Sequence, residues 1–227
     1  MQRILIDDLR NIFSGKRVAI IGSGPSMFDN TMEHIDGHDI IIRVNNYKMR
    51  GYEDKVGSRC DYHYSFYGSS IKKTSKELRQ DGIKGHLCKC PNDICHMTEW
   101  HEKNGKQNGC RFEWIYKNRQ DFWIAPVYIP ETRHYLQLFN KLNRHVPTTG
   151  FACIWEIMNL NPKELYITGF DFFVSKIHNG NEPWRSRNTD DPIKHLPLVE
   201  KHIFTRWAKE NKYIKLDDYL KEIICQS

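Results

Sequence analysis

Three groups of side chains in this sequence stand at spacings that suggest chemistry. His195 is followed, after four residues, by Glu200. An imidazole with an ordinary pKa of about 6.5 is the side chain best placed to accept a proton near neutral pH. A carboxylate five residues on could steady a neighbouring helix N-terminus or orient the site. Taken alone, a His-X4-Glu pair is more often surface decoration. The second group is Gly22-Ser23-Gly24, directly after the apolar run Val18-Ala19-Ile20-Ile21. Glycines there let the backbone approach a phosphate, and a following helix presents free N–H groups to it. Met27 stands where a third fingerprint glycine would be, and Gly-Lys-Ser/Thr is missing, which excludes a P-loop. By itself the turn also reads as merely tight. Asn45 and Asn46 follow a second apolar run, where they either cap a turn locally or hydrogen-bond a ligand. The third group is Cys88, Cys90, Cys95, His96, His101 and Cys110, with His86 nearby. It is open to a zinc reading, but Cys88-Lys89-Cys90 is tighter than the usual two-to-four-residue ligand spacing, so ordinary thiols in an irregular surface region fit better.

These groups need elements to position them. A short amphipathic helix is expected over residues 1–14, ended by Ser14-Gly15-Lys16. Arg17 to Ile21 and Ile40 to Val44 read as buried strands, and Tyr62 to Phe66 as a third with period-two alternation. Residues 68–130 carry little periodicity and read as an irregular, insert-like region around a short helix at 71–80. Regularity returns with a helix at Glu131 to Leu142, striped by Leu136, Phe139 and Leu142. A buried helix at Phe151 to Leu160 and a strand at Glu164 to Thr168 follow, the strand leaving through Gly169-Phe170-Asp171. The stretch from Val174 to Lys194, rich in Asn, Gly, Pro and Asp, is expected to be a mobile loop. A helix at Leu198 to Asn211, a strand at Tyr213 to Leu216 and a closing helix complete the chain. Strands alternating with helices imply an α/β fold: one Rossmann-like domain over residues 1–227, mainly parallel sheet with helices on both faces.

Composition sets the outer limits. The chain has 227 residues, 39 % hydrophobic and 27 % charged, with 11 Phe, 11 Tyr and 6 Trp, enough bulk for a real core. No apolar run approaches the roughly 20 residues that span a bilayer, and Asp7 and Asp8 stand where a signal peptide would be apolar. The net charge of +6 favours anionic contacts, including peripheral contact with a membrane surface, although most such charge is solvated. It forms no basic stripe, so no nucleic-acid partner is expected. Seven cysteines at irregular spacing and no Asn-X-Ser/Thr sequon point to reduced thiols and a cytoplasmic location.

The motifs have a family. Arg17 through Gly24, Ile35-Asp36-Gly37-His38-Asp39, Ile42-Arg43-Val44-Asn45 and Val56-Gly57-Ser58-Arg59 together resemble the long sialylmotif of the sialyltransferases, glycosyltransferase family 29. Pro147-Thr148-Thr149-Gly150 through Gly169-Phe170-Asp171 resembles the short sialylmotif and is similar to the matching segment of the bacterial family 42 enzymes. His195 with Glu200 resembles the very short motif. The resemblance implies a GT-A-like sialyltransferase fold that binds a CMP-activated sugar acid and inverts its anomeric centre. By position it implies that Ser23, Gly24 and Asn45 line the nucleotide and phosphate. Gly169, Phe170 and Asp171 would hold cytidine, Thr149 with Gly150 would meet the donor near its carboxylate, and His195 would be the general base. Two departures accompany it. Val18 occupies the position of one cysteine of the family 29 disulfide. Phe173 stands where family 42 has a tyrosine that helps the leaving phosphate, which leaves His178 as the candidate for that role.

The expectation is therefore an inverting, metal-independent glycosyltransferase. It would move sialic acid, or the related acid Kdo, from a CMP-sugar donor to a hydroxyl of an acceptor oligosaccharide or glycolipid. No cofactor is implied, since the donor is a substrate. No Asp-X-Asp is present, which fits a donor whose single phosphate can leave without a metal. Two rivals remain: a nucleotide-linked oxidoreductase using Asp39 or a nearby acid to hold a ribose, and a zinc-stabilised binding module built on residues 86–110.

Overall fold

The computed structural model describes residues 2–67, 71–91, 111–173, 177–178, 182–183 and 195–225. Side chains are described throughout these except at 111–114, 177–178 and 182–183. Eight parallel strands form one sheet. They are β1 (Arg3–Ile4), β2 (Arg17–Ile21), β3 (Ile40–Val44), β4 (Tyr62–Ser65), β5 (Gly85–Cys88), β6 (Val127–Tyr128), β7 (Glu164–Thr168) and β10 (Ile214–Leu216). A separate antiparallel pair, β8 (Ile177–His178) and β9 (Glu182–Pro183), lies between β7 and β10 in the chain. The sheet order is β1-β6-β5-β4-β3-β2-β7-β10. From β2 the chain winds outward through β3, β4, β5 and β6, then returns to lay β7 on the other side of β2. The crevice between β2 and β7 is therefore the topological switch point, where open α/β sheets bind ligands at the carboxyl ends of their strands.

Helices cover both faces. Helices α1 (Ile6–Phe13), α6 (Thr132–Lys141), α7 (Thr149–Met158), α8 (Pro197–Glu210) and α9 (Asp218–Cys225) enclose one core with Val18, Ile20, Ile42, Leu87, Leu165 and Ile167 of the sheet. Helices α2 (Met32–Asp36), α3 (Glu53–Val56), α4 (Ser75–Gln80) and α5 (Arg111–Asn118) close a second core over Ala19, Ile21, Ile41 and Val127. Burial on both faces is why β2 is apolar after Arg17 and β3 is apolar except for the buried Arg43.

Several local expectations change for physical reasons. Residues 1–14 are not one helix. Arg3–Ile4 is drawn off as an edge strand by pairing with Val127–Tyr128, and the helix starts at Ile6. The period-two alternation expected of Tyr62 to Phe66 does not mark an exposed face, because all four residues of β4 are buried between helical layers. The 68–130 region is not an insert: β5 and β6 belong to the sheet, while residues 92–110 lie outside the described part. After Gly24 the chain makes only one 3-10 turn (Pro25–Phe28) before Thr31 caps the five-residue α2, rather than a full phosphate-facing helix. On α6 the buried stripe is Tyr135, Leu138 and Phe139, continued by Leu142, with Leu136 half-buried. Nearly all of the mobile loop expected at 174–194 lies outside the described residues.

Candidate active site

The carboxyl ends of β2 and β7 meet more closely than any residue with a side chain would allow. The Gly22 amide donates to the Thr168 carbonyl at 2.8 Å, and the Gly24 amide to the Gly169 carbonyl at 2.7 Å. A Cβ on Gly22 would overlap the Gly169 carbonyl, and Gly169 itself takes a left-handed φ of +73°. Both positions therefore demand glycine. Phe170 then lays its ring against Gly22 on one side and Gly150 on the other, so that a Cβ on Gly150 would overlap the ring. Ser23, Gly24, Gly150, Gly169 and Phe170 thus form one wall at the switch point. Asp171, buried next to it, accepts the Phe173 amide at 2.9 Å and closes the turn.

One strand outward, Asn45 ends β3 with a left-handed φ of +56°. Its carbonyl accepts from His63 Nε2 at 2.8 Å, and its Oδ1 lies 3.4 Å from the Ser65 hydroxyl. The residue is held in place from β4, half-buried at the same sheet edge.

The wall rests on a buried carboxylate that sequence reasoning missed. Asp217, at the exit of β10, accepts through Oδ2 from the Ser26 hydroxyl (2.8 Å), the Thr168 hydroxyl (2.7 Å) and the Gly169 amide (3.2 Å). Its Oδ1 accepts the Leu220 amide at 2.6 Å, which caps α9. The available signal was an acid between a short strand and a helix, the position of an N-cap whose carboxylate also faces the sheet edge.

The N-terminus of α7 adjoins this wall through Gly150. Thr148 is its N-cap, accepting the Phe151 amide at 3.3 Å. Thr149 and Gly150 begin the helix, and their amides have no intrahelical acceptor. The positive end of a helix dipole there favours an anion. Glu200, 1 % exposed in the first turn of α8, grips Thr148 twice: Oε1 accepts the Thr148 amide and Oε2 the Thr148 hydroxyl, both at 2.6 Å. Burial pushes its carboxyl up to about 7, opposed by the two Thr148 hydrogen bonds and by the Lys89 ammonium. Its expected service to a neighbouring helix N-terminus is what the geometry displays. It acts on Thr148 and so is a positioning residue.

His195 stands just before α8, whose first turn opens on Pro197. It is half-buried, with Nδ1 2.7 Å from the Val146 carbonyl. A carbonyl can only accept, so Nδ1 carries a proton. His195 before α8 and Glu200 within it thus both bind the 146–148 segment that leads into α7. Phe172 packs on Phe204 of α8 at 5.4 Å, tying the exit of β7 to the same helix. His178 falls in β8, whose side chains lie outside the described part.

The rival sites fare differently. Asp39 accepts the Arg17 amide at 2.8 Å, at the amino ends of β2 and β3, so it cannot hold a ribose at their carboxyl ends. That removes the acid the oxidoreductase reading proposed. Among the described residues no three Cys, His, Asp or Glu side chains converge as a metal would need. Cys95, His96, His101 and Cys110 of the zinc reading lie outside them.

Comparison with known proteins bears on this arrangement. The profile of the family described as glycosyltransferase family 29 (sialyltransferase) matches residues 13–171. The human type 2 lactosamine alpha-2,3-sialyltransferase is 37 % identical over 187 residues, covering 76 % of this chain and 55 % of that protein. The chain thus spans about half the length of the relatives it matches. In fold, the chain is similar to a mammalian sialyltransferase in complex with Gal-beta-1-3GalNAc-ortho-nitrophenol, with a TM-score of 0.60 at 17 % identity, covering 92 % of this chain and 71 % of that one. It is also similar to the Campylobacter jejuni sialyltransferase CstII in complex with CMP-3FNeuAc, at 0.54 and 16 %, covering 90 % and 88 %. His195 and Glu200 lie beyond the profile match.

The network around Asp217 predicts a sharp contrast in stability. Asp217→Ala removes the acceptor shared by two hydroxyls and two amides, and should lower unfolding free energy by about 3 kcal/mol in urea titration. Asp218→Ala, one residue on and exposed, should leave the urea midpoint nearly unchanged. Equal effects would show that the Asp217 hydrogen bonds do not hold the sheet edge together.

Proposed function

The chain belongs to glycosyltransferase family 29, the sialyltransferases, and on that premise we propose that it transfers sialic acid, or a related acid such as Kdo, from a CMP-sugar to a hydroxyl of an acceptor glycan or glycolipid. The reaction inverts the anomeric centre. The observation that carries this reading is the His195–Val146 hydrogen bond, which fixes the imidazole on the segment that leads into α7.

In this reading CMP lies across the β2/β7 crevice, with Ser23, Gly24 and Asn45 toward its phosphate and Gly169, Phe170 and Asp171 against cytidine. The sugar carboxylate meets the Thr149 and Gly150 amides, where the helix dipole offsets its charge. As the glycosidic bond to CMP breaks, the anomeric carbon gains oxocarbenium character, and a carboxylate fixed beside it stabilises that charge. His195 Nε2 takes the acceptor hydroxyl proton as the oxygen attacks from the face opposite CMP. Departing phosphate would be met by His178. Metal independence is part of the proposal, supported by the lack of Asp-X-Asp. A reducing, cytoplasmic setting is likewise our reading, supported by Cys60, Cys90, Cys153 and Cys225 standing outside any disulfide.

Two measurements test this. In a thermal-shift comparison of CMP, UDP, GDP and NAD, CMP alone should stabilise the protein, by about 2.7 kcal/mol at 100 times its dissociation constant. Stabilisation by NAD in its place would refute the donor class. His195→Ala should lower turnover with CMP-sialic acid by about 100-fold or more while CMP affinity stays within a few-fold. Near-normal turnover in that variant would remove His195 as the base.

A further inference from the structure

At the end of β3, all but one of the hydrogen-bonding groups of Asn45 are taken up by β4. Its amide donates to the Tyr64 carbonyl at 3.0 Å, one step beyond the Val44–Tyr64 pair of the ladder. Its carbonyl accepts from His63 Nε2 at 2.8 Å, and its Oδ1 accepts from the Ser65 hydroxyl at 3.4 Å. His63 and Ser65 flank Tyr64, so strand alternation sends both side chains to one face of the sheet, where they straddle the bend at Asn45. Tyr67 backs the pair. Its amide donates to Ser65 Oγ at 3.2 Å and its hydroxyl to the His63 carbonyl at 2.6 Å. His63 and Ser65 are wholly buried, whereas Asn45 is half-buried at the carboxyl edge of the sheet.

Burial gives these bonds a fixed direction. The Ser65 hydroxyl spends a lone pair on the Tyr67 amide, and its one proton cannot reach solvent, so that proton goes to Asn45 Oδ1. This decides which end of the Asn45 amide faces the protein. Oδ1 is turned to Ser65, and the two Nδ2 protons are the only polar group of Asn45 without a partner among the described residues. A carbonyl can only accept, so His63 carries its proton on Nε2, and its buried Nδ1 has no partner among the described residues. The rings of Tyr47, Tyr67 and Phe122 enclose the imidazole, at centroid distances of 5.7, 5.5 and 5.9 Å. Burial holds its pKa down at about 4, so it is neutral and kept in one tautomer. Asn45 has a left-handed φ of +56°, uncommon for a residue with a side chain, and the His63 bond pins its carbonyl in that bend.

We propose that His63 and Ser65 are positioning residues for donor binding: from β4 they lock Asn45 so that it offers only N–H protons, a match for a phosphate oxygen of the nucleotide. The identity of the ligand rests on the proposed CMP-sugar reading; the locked amide does not. A freely turning amide would meet an anion with its oxygen as readily as with its nitrogen, and the oxygen would repel it. The preference of this motif asparagine for an anion is therefore set by two residues that the sialylmotif resemblance does not include.

The test compares CMP with cytidine. Ser65→Ala should weaken CMP binding about fivefold and cytidine binding by less than about twofold, since only CMP carries the phosphate. Asn45→Gly keeps the left-handed bend without strain, and should weaken CMP binding about tenfold while sparing cytidine. Adding Ser65→Ala to Asn45→Gly should cost nothing more, because the amide it orients is gone. Equal losses for CMP and cytidine, or full additivity in the double variant, would overturn the proposal. Nitrogen-15 NMR of the wild type is the second measurement. The His63 ring should show the Nε2–H tautomer and stay neutral from about pH 5 to 8, and the Asn45 Nδ2 signals should move with CMP but not with cytidine. An Nδ1–H tautomer, or Nδ2 signals indifferent to CMP, would equally overturn it. If the wild type binds neither ligand, the CMP-sugar reading fails, and the tautomer, with the change in the Asn45 Nδ2 signals on Ser65→Ala, still decides whether β4 locks this residue.

Discussion

The molecule depends on how closely the ends of β2 and β7 approach at the switch point. Gly22 lies against the backbone of Gly169 with no room for a side chain, and the two loops exchange hydrogen bonds over Thr168 and Gly169. This contact fixes where Phe170 stands, and Phe170 in turn fixes how near Gly150 and the head of α7 come to the sheet edge. A clash in a packed interior is not absorbed by neighbours, because side chains there already fill space at crystal-like density. The geometry of the cleft therefore descends from a few backbone atoms rather than from any one functional side chain.

Two buried carboxylates hold that contact from behind, and they work alike. Asp217 reaches from the end of β10 to Ser26, Thr168 and Gly169 while capping α9. Glu200 reaches from α8 to Thr148, the cap of α7. Each joins elements distant in sequence, and each has several donors directed at its oxygens. Burial of a charge is unfavourable unless such donors or a cation compensate. The two sites differ in their donors: Asp217 is met by two hydroxyls and two amides, whereas Glu200 grips a single residue, Thr148, by its amide and its hydroxyl. Burial lifts the Glu200 carboxyl to about 7 against those two hydrogen bonds.

Much of the fold was legible where physics is local. Arg17–Ile21, Ile40–Val44 and Glu164–Thr168 announce themselves because both faces are buried and apolar residues dominate, the buried Arg43 inside β3 excepted. The long helices α6, α7 and α8 are legible within a few residues from their apolar patterns. In contrast, Gly85-His86-Leu87-Cys88 and Val127-Tyr128 carry no pattern of their own. They are strands because β4 and β5 offer them unpaired edges, and Arg3–Ile4 is a strand only because Val127–Tyr128 is there to pair with it. The 3-10 turn after Gly24 shows the same limit: the glycines were readable, but the shape of the chain leaving them was set by Pro25 and the cap at Thr31.

The sequence by itself determined the class of fold and the order of its motifs, since glycine, apolar runs and His-X4-Glu are properties of residue type and spacing. Tertiary structure alone decided which of those residues meet. It placed Gly150 against Phe170, turned Glu200 from a possible reactant into a brace for Thr148, and gave His195 the carbonyl that selects its tautomer. It also brought in Asp217, which no motif marks. Its importance arises from distance and burial, and neither is written in the identity of a residue or of its neighbours along the chain.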